Sequence, residues 1–273
     1  MPTLLDKTVA IVGGGAMGSA IALGLVRTGS LEPKRALVAD PCQNRRDHLA
    51  SEGIQVFDSA SSMGAMSFDV IIIAVKPQVL PAVVAEASAL LEGRLVISIV
   101  AGVRLQALES LMPSSRIIRA MPNLPVWAAS GATAVCAGAA ATREDVGLAS
   151  ALFGCLGRTL VMREDQLDAE GAVVSCGPAY IALFVDLLVR AGVEHGLPAV
   201  GCREMVLSTM RGVAGQLLES GEHPRAYMER VTSPGGTTAA GLRAMEPSLM
   251  LAVEEGIDAA LARTAELGQA KGE

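Results

Sequence analysis

The chain has 273 residues, 51% hydrophobic but only 3% aromatic, so its core must be filled mainly by Ala, Val, Leu, Ile and Met, which favours parallel sheets and packed helices over an all-β fold. A formal net charge of −6, with 22 basic residues spread along the chain, offers no basic stripe to neutralise a run of phosphates and excludes nucleic acid as a partner. The cysteines, Cys42, Cys136, Cys155, Cys176 and Cys202, form no C-x-x-C pair, and a chain of this length needs no disulfides; a reducing, cytoplasmic setting is expected.

No cationic segment followed by an apolar run and a small-residue cleavage site opens the sequence, so no signal peptide is expected. Val9 to Val26 carries no charge and is long enough to score as a membrane span, but its glycines and its strand-turn-helix pattern argue against one. Residues 7–12 read as a short buried strand running into Gly13-Gly14-Gly15-Ala16-Met17-Gly18 and a helix ending near Gly29. Ala36–Ala39, Asp69–Val75 and Leu95–Ile99 supply further strands, with helical stretches between them, and Arg116–Arg119 and Gly131–Val135 add shorter ones. This alternation predicts an α/β, doubly wound parallel sheet of the Rossmann type over residues 1–163.

From residue 164 to 273 strands give way to helical periodicity, which predicts a second, all-α domain. One helix runs from Pro178 to His195 with apolar positions around most of its circumference, closed by Gly196 and Pro198. Another, over 199–219, aligns Val206, Met210, Val213 and Leu217, and the last, over 248–268, aligns Met250, Val253, Ile257 and Leu261. Such wide apolar faces exceed what a bundle of about 110 residues buries alone and point to subunit contacts. The tail from Gln269 to Glu273 reads as frayed, and Cys176 is expected to pack.

Gly13-x-Gly15-x-x-Gly18, after a strand and opening a helix, is the dinucleotide fingerprint: a tight turn, a close approach of backbone to pyrophosphate, and close helix-strand packing. Ala16 and Met17 then lie in the first helical turn, whose N–H groups and dipole favour phosphate. Asp40 ends the second strand 22 residues after Gly18, where an acid binds ribose hydroxyls and repels the 2′-phosphate of NADP; Arg45 and Arg46 lie close enough to attract it. The two signals conflict, and a solvated helix face accounts equally well for the arginines. Ala74-Val75-Lys76-Pro77 ends a strand at the carboxyl edge of the sheet, where ligands lie in open α/β folds; Lys76 there either faces the cofactor or is a plain surface lysine. One strand later, Ile99, Val100 and Ala101 occupy the equivalent edge, where small residues admit the nicotinamide.

The stretch Arg230-Val231-Thr232-Ser233-Pro234-Gly235-Gly236-Thr237-Thr238 precedes a helical run. A Pro-Gly-Gly turn leading into a helix converges backbone N–H groups on one point, an anion site suited to a carboxylate, although a Thr N-cap after such a turn explains the spacing equally.

With these motifs the sequence resembles the pyrroline-5-carboxylate reductases, the family of the last step of proline synthesis. The resemblance covers almost the whole chain and rests on Gly13-x-Gly15-x-x-Gly18, Ala74-Val75-Lys76-Pro77, Arg119-Ala120-Met121-Pro122-Asn123-Leu124-Pro125, Gly177-Pro178-Ala179-Tyr180 and Thr232 to Thr238. It implies an N-terminal Rossmann domain, a C-terminal helical dimerisation domain, an active site between them completed by the partner subunit, and NADPH as the usual cofactor with NADH still open. A homodimer is implied, with a ring of dimers as a larger form. The family usually has Ser-Gly-Ser before Gly-Pro-Ala-Tyr, whereas this chain has Val174-Ser175-Cys176; Trp127 stands where a smaller residue is expected, and Arg230 where some relatives have a neutral polar residue.

The expected chemistry is hydride transfer from the reduced nicotinamide to the C=N carbon of a cyclic imine carboxylate. An imine accepts hydride once its nitrogen is protonated or hydrogen-bonded, so positioning and one donor suffice. Thr238 is the expected donor, Asn123 a support near the nicotinamide, and Ser233, Gly235, Gly236 and Thr237 the substrate clamp. A β-hydroxyacid dehydrogenase, the nearest alternative enzyme, uses a helical-domain lysine; here the lysines are Lys7, Lys34, Lys76 and Lys271, which leaves the second domain without one before its tail. His195, at a helix end, and His223, before Pro224, suit capping or solvated roles better than catalysis, and metal-ligand spacings are absent. A reductase of another cyclic imine and a non-catalytic dinucleotide sensor remain as competing readings, both kept open by Val174-Ser175-Cys176, although the retained Thr237-Thr238 argues against the sensor.

Overall fold

The computed structural model describes residue 4 and residues 6–269, with side chains to residue 266. The tail expected to fray, from residue 270 on, lies outside the described residues, as does Lys271. The chain divides into two compact units, one of residues 1–178 with 261–273 and one of residues 179–260.

The first unit is built on β1 (Val9–Val12), α1 (Ala16–Arg27), β2 (Ala36–Ala39), α2 (Gln43–Ser51), β3 (Gln55–Phe57), β4 (Val70–Ile73), α3 (Leu80–Glu86), α4 (Ser88–Leu91), β5 (Leu95–Ser98), α5 (Leu105–Leu111), β6 (Arg116–Pro122), β7 (Gly131–Ala137), α6 (Arg143–Gly154), β8 (Gly157–Val161) and α7 (Glu164–Glu170). The eight strands form one sheet in the order β3-β2-β1-β4-β5-β6-β7-β8. Strand order reverses at β1, which pairs in parallel with β2 on one side (Ile11 opposite Val38) and with β4 on the other (Ile11 opposite Ile72). The crevice at such a reversal is where doubly wound sheets bind dinucleotides.

Both faces of the sheet are covered. Val9, Ile11, Val70 and Ile72 pack into one core with α1 and α6, while Ala10, Val12, Ile71 and Ile73 pack into the other with α3 and α5. This two-sided burial is why these strands are uninterrupted apolar runs, and each fully buried Ile or Leu contributes roughly 2–3 kcal/mol. The Rossmann architecture expected from the sequence is borne out. Three particulars differ. β6 and β7 run antiparallel, because only residues 123–130 separate them and a parallel pair needs a longer crossover. β3 is a three-residue edge strand, and β8 carries half-exposed and exposed residues at the other edge; neither has the apolar density that marks a strand in sequence.

Arg119 on β6 is fully buried and forks onto Glu164 (3.1 Å) and Asp168 (3.0 Å), fixing α7 against the sheet. α6 opens with a capping box in which the Thr142 side chain accepts from the Asp145 N–H and Asp145 accepts from the Thr142 N–H. Burial works against the Asp145 charge, but the Arg116 guanidinium and the Thr142 groups outweigh it and hold the carboxyl below its usual range.

α7 passes through a π-helical segment, Gly171–Ser175, into α8 (Gly177–Glu194). Glu164–Glu194 is a 31-residue helical run whose most apolar stretch has mean hydropathy 2.0, long and apolar enough to cross a membrane by length and composition. Val9–Val26, the span considered from sequence, is strand, turn and helix.

The second unit contains most of α8, then α9 (Ala199–Ser220), α10 (Pro224–Arg230) and, as far as Ala260, α11 (Thr237–Gln269). Among the described residues no strand follows β8. α8 and α9 approach at Gly192, where an added Cβ would lie 2.5 Å from the Cys202 sulfur. His223 caps α10, its Nδ1 accepting from the Arg225 N–H at 3.2 Å, the capping role expected of it. α11 begins eleven residues before the helix start read from sequence and carries Pro247 inside it. Cys176, expected to pack, is exposed in the single chain.

Candidate active site

At the reversal of strand order the first unit holds a cleft of about 840 Å³ lined by Gly13, Gly15, Ala16, Met17, Asp40, Arg45, Ala74, Val75, Lys76, Pro77, Ile99 and Ala101. These residues, drawn from four strand ends, were all expected to bind the dinucleotide. Two others from that set stand behind the cleft wall: Val100 is buried in the core, and Gly18 packs against Gly13. Gly13 has φ +107, open to glycine at little cost, and a Cβ there would stand 2.5 Å from the Ala74 carbonyl oxygen. A Cβ at Gly18 would overlap the Gly13 carbonyl. At Gly15, by contrast, a Cβ would meet nothing within 4 Å. The glycines thus let α1 sit hard against the turn and leave its N-terminus open to the cleft, a cradle that fits a pyrophosphate.

Asp40 is 3% exposed and its carboxylate is already engaged. One oxygen accepts from the Gly14 N–H (2.8 Å) and pairs with Arg45 (3.2 Å), and the other accepts from the Cys42 N–H (2.8 Å). Arg46 donates to the Asp40 carbonyl at 2.7 Å. Asp40 therefore holds the glycine turn to the end of β2, and its charge is countered by Arg45, whose side chain is about half exposed in the cleft. Sequence reading missed the opposite wall, Asp58, Ser59 and Glu86. The Ser62 and Ser59 hydroxyls hold the Asp58 carboxyl below its usual range. Asp58 follows β3, the strand that sequence did not reveal, so no signal pointed there.

Asn123 follows β6 and is 8% exposed. Its Oδ1 accepts from the Ala132 N–H at 2.8 Å and its Nδ2 donates to the Val174 carbonyl at 3.2 Å, so the amide clasps β7 and the π-helical segment together. Trp127 lies in the turn after Asn123, half exposed, under the Arg27 guanidinium at 4.7 Å. With Leu124, Pro125, Pro178 and the outer side of α1 it lines a smaller apolar cleft of about 400 Å³.

In the second unit the Ser233–Thr238 segment is a turn into α11. Gly235 takes φ +71, and the Gly236 N–H donates to the Ser233 carbonyl at 3.0 Å, closing the turn. Thr237 and Thr238 begin α11 and are exposed in the single chain. The open N–H groups at this helix start belong to its first residues rather than to Gly236. Arg230 pairs with Glu222 at 2.9 Å and lies over the Tyr227 ring at 4.8 Å, so its charge is directed to protein partners.

Residues 164–267 match the family model for pyrroline-5-carboxylate reductase dimerisation, and residues 8–102 that for the coenzyme F420-dependent NADP oxidoreductases. A pyrroline-5-carboxylate reductase of Synechocystis is 38% identical over 95% of this chain and 97% of its own length, and one of Arabidopsis thaliana is 36% identical over 96% and 95%. Among solved structures, the NADP-bound pyrroline carboxylate reductase of Plasmodium falciparum superposes with a TM-score of 0.87 at 27% identity, covering 96% of this chain and 98% of the other. The Coxiella burnetii pyrroline-5-carboxylate reductase gives 0.86 at 30% identity with the same coverage. The resemblance read from the motifs is borne out: the chain belongs to the pyrroline-5-carboxylate reductase family.

Proposed function

We infer that this protein reduces the C=N bond of 1-pyrroline-5-carboxylate to give L-proline, the last step of proline biosynthesis, with NAD(P)H as reductant and as a homo-oligomer. The observation that carries this is identity of 38% to a reductase of that name over 95% of the chain, with a dinucleotide cradle at the sheet reversal. Bound NAD(P)H supplies the hydride to the imine carbon. The glycine turn and α1 hold the pyrophosphate, and residues 74–77 and 99–101 shape the carboxyl edge of the sheet for the nicotinamide. Thr238 offers a hydroxyl to the imine nitrogen, where a proton must reside for hydride to be accepted, and the start of α11 holds the substrate carboxylate, with Ser233, Gly235 and Gly236 shaping the turn before it. Asn123 fixes the end of β6.

NADPH is the preferred cofactor in this reading. Asp40 spends both oxygens on backbone amides and Arg45, so little is left to grip a ribose diol, while Arg45 retains donors toward the cleft. We take residues 1–163 as the dinucleotide domain and 164–273 as the dimerisation and substrate domain. The apolar Glu164–Glu194 run is read as a subunit face rather than a membrane span, because it opens the dimerisation match. A ring of dimers is the larger assembly this leaves open to test, and a cytoplasmic site agrees with the lack of any disulfide among the described cysteines.

The test is steady-state oxidation of NADPH and NADH with pyrroline-5-carboxylate and its six-membered homologue. Turnover of the five-membered ring, faster with NADPH, is expected, and Thr238→Ala should lower kcat about tenfold to a hundredfold. Turnover of the six-membered ring alone would move the assignment to another imine, a reading favoured by Val174-Ser175-Cys176. Tight cofactor binding without any turnover would make the protein a dinucleotide sensor.

A further inference from the structure

Glu170, at the last turn of α7, is 8% exposed, and no part of the chemistry above uses it. Its Oε2 lies 3.3 Å from the Ser175 hydroxyl, and that same hydroxyl lies 3.4 Å from the Pro122 carbonyl oxygen. Pro122 ends β6 and precedes Asn123, which is bonded back to the π-helical segment through the Val174 carbonyl. The π-helical segment and the end of β6 are thus sewn together by two side chains, Asn123 and Ser175.

Counting protons exposes a conflict. A serine hydroxyl has one hydrogen to give, and both its neighbours here are acceptors when Glu170 is ionised. With Glu170 ionised, Ser175 can serve the carboxylate or the Pro122 carbonyl, not both. With Glu170 protonated, its O–H donates to the Ser175 oxygen and Ser175 donates onward to Pro122, so every bond is made. Burial pushes the Glu170 carboxyl up to about 7, against the pull of Ser175. The ionisable groups on the elements packed here are Arg116 and Arg119 on β6, Cys136 on β7, and Glu164, Asp165 and Asp168 on α7. Arg119 is committed to Glu164 and Asp168, Arg116 to Asp145, and Arg163 to Asp165, and burial raises the Cys136 thiol. No charge among them is aimed at Glu170, which leaves desolvation as the force on it.

We propose that Glu170 is a positioning residue for imine reduction: its proton decides whether Ser175 holds the Pro122 carbonyl, and so whether the Pro122–Asn123 end of β6 is locked to the π-helical segment. The proposal rests on Asn123 supporting the nicotinamide end of the site. Ser175 stands in the segment that departs from the family's Ser-Gly-Ser pattern, so this proton latch belongs to this chain's own sequence.

The experiment is a pH series from about 6 to 8.5 on the full-length protein, the range that brackets the carboxyl. It reads kcat/KM for the imine and, separately, the emission of Trp127, the sole tryptophan, four residues after Asn123. The expected result is an approximately fivefold fall in kcat/KM with rising pH, the worth of one net hydrogen bond, with a parallel change in emission. Glu170→Gln, which keeps a donor at every pH, should hold the low-pH rate and remove both steps. Ser175→Ala should lower the rate and remove the emission step whether or not the Gln variant folds. Persistence of either step in a folded Glu170→Gln protein, an emission step that survives in Ser175→Ala, or a flat wild-type emission profile overturns the latch. Turnover without these steps would sink the latch and leave the function standing, whereas an intact emission step without turnover would do the reverse.

Discussion

The sheet unit and the helical unit handle apolar residues in opposite ways. Up to Pro178 the apolar side chains are mostly spent inside, with β1, β2, β4 and β5 fully buried on both faces. From Ala179 to Ala260, Cys202 is the one fully buried hydrophobic among the described residues, while Ile181, Leu183, Leu187, Leu249 and Met250 are exposed. A sheet clothed in helices satisfies itself, but a set of helices with apolar residues all round needs a second surface to cover them. One unit is therefore a finished cofactor platform, and the other is half of an interface.

The largest effect should come from charging the unfinished face. Leu183→Glu with Leu187→Glu, one helical turn apart on α8, is expected to turn the oligomer into monomers by sedimentation and to cut activity by at least about a hundredfold, while NADPH binding survives. An intact oligomer carrying both charges would refute the contrast between the units. The converse variant, Gly18→Ala, drives a Cβ into the Gly13 carbonyl and should weaken NADPH binding by more than about tenfold in calorimetric titration, leaving the oligomer unchanged. Loss of assembly together with cofactor binding would show that the two units are not separable in this way.

The smallest effect concerns stability at the join between β6 and α7. Glu170 has a folded pKa raised from 4.5 to about 7, so the native state holds a proton that the unfolded state releases. The stability it contributes is complete below the unfolded value and is lost as pH rises through the folded one. Glu170→Gln should accordingly gain denaturant resistance over wild type at about pH 8.5 and show no gain at about pH 4, below both values. Equal gains at both settings would mean that packing, not ionisation, governs the site.

Much of the architecture could be read from local pattern. Buried parallel strands must be continuous apolar runs, so β1, β2, β4 and β5 were visible, and the glycines of the fingerprint declared the turn because backbone sterics admit little else there. β3 and β8 were not visible: edge strands owe their pairing to a neighbour rather than to their own composition. The start of α11 was placed too late because Pro247 reads locally as a stop, whereas the 33-residue helix tolerates it.

The sequence by itself determined the cofactor turn, the succession of a sheet region by a helical one, and the family, since these depend on short-range spacing and apolar periodicity. Tertiary structure alone decided that Asp40 would spend its carboxylate on the Gly14 and Cys42 amides and Arg45, that Asn123 would clasp Ala132 to Val174, and that Glu170 would meet Ser175 and Pro122 in the interior. Those outcomes turn on which donors and acceptors distant segments bring within hydrogen-bond reach and how far water is excluded from them, and neither quantity is encoded in the neighbours of a residue along the chain.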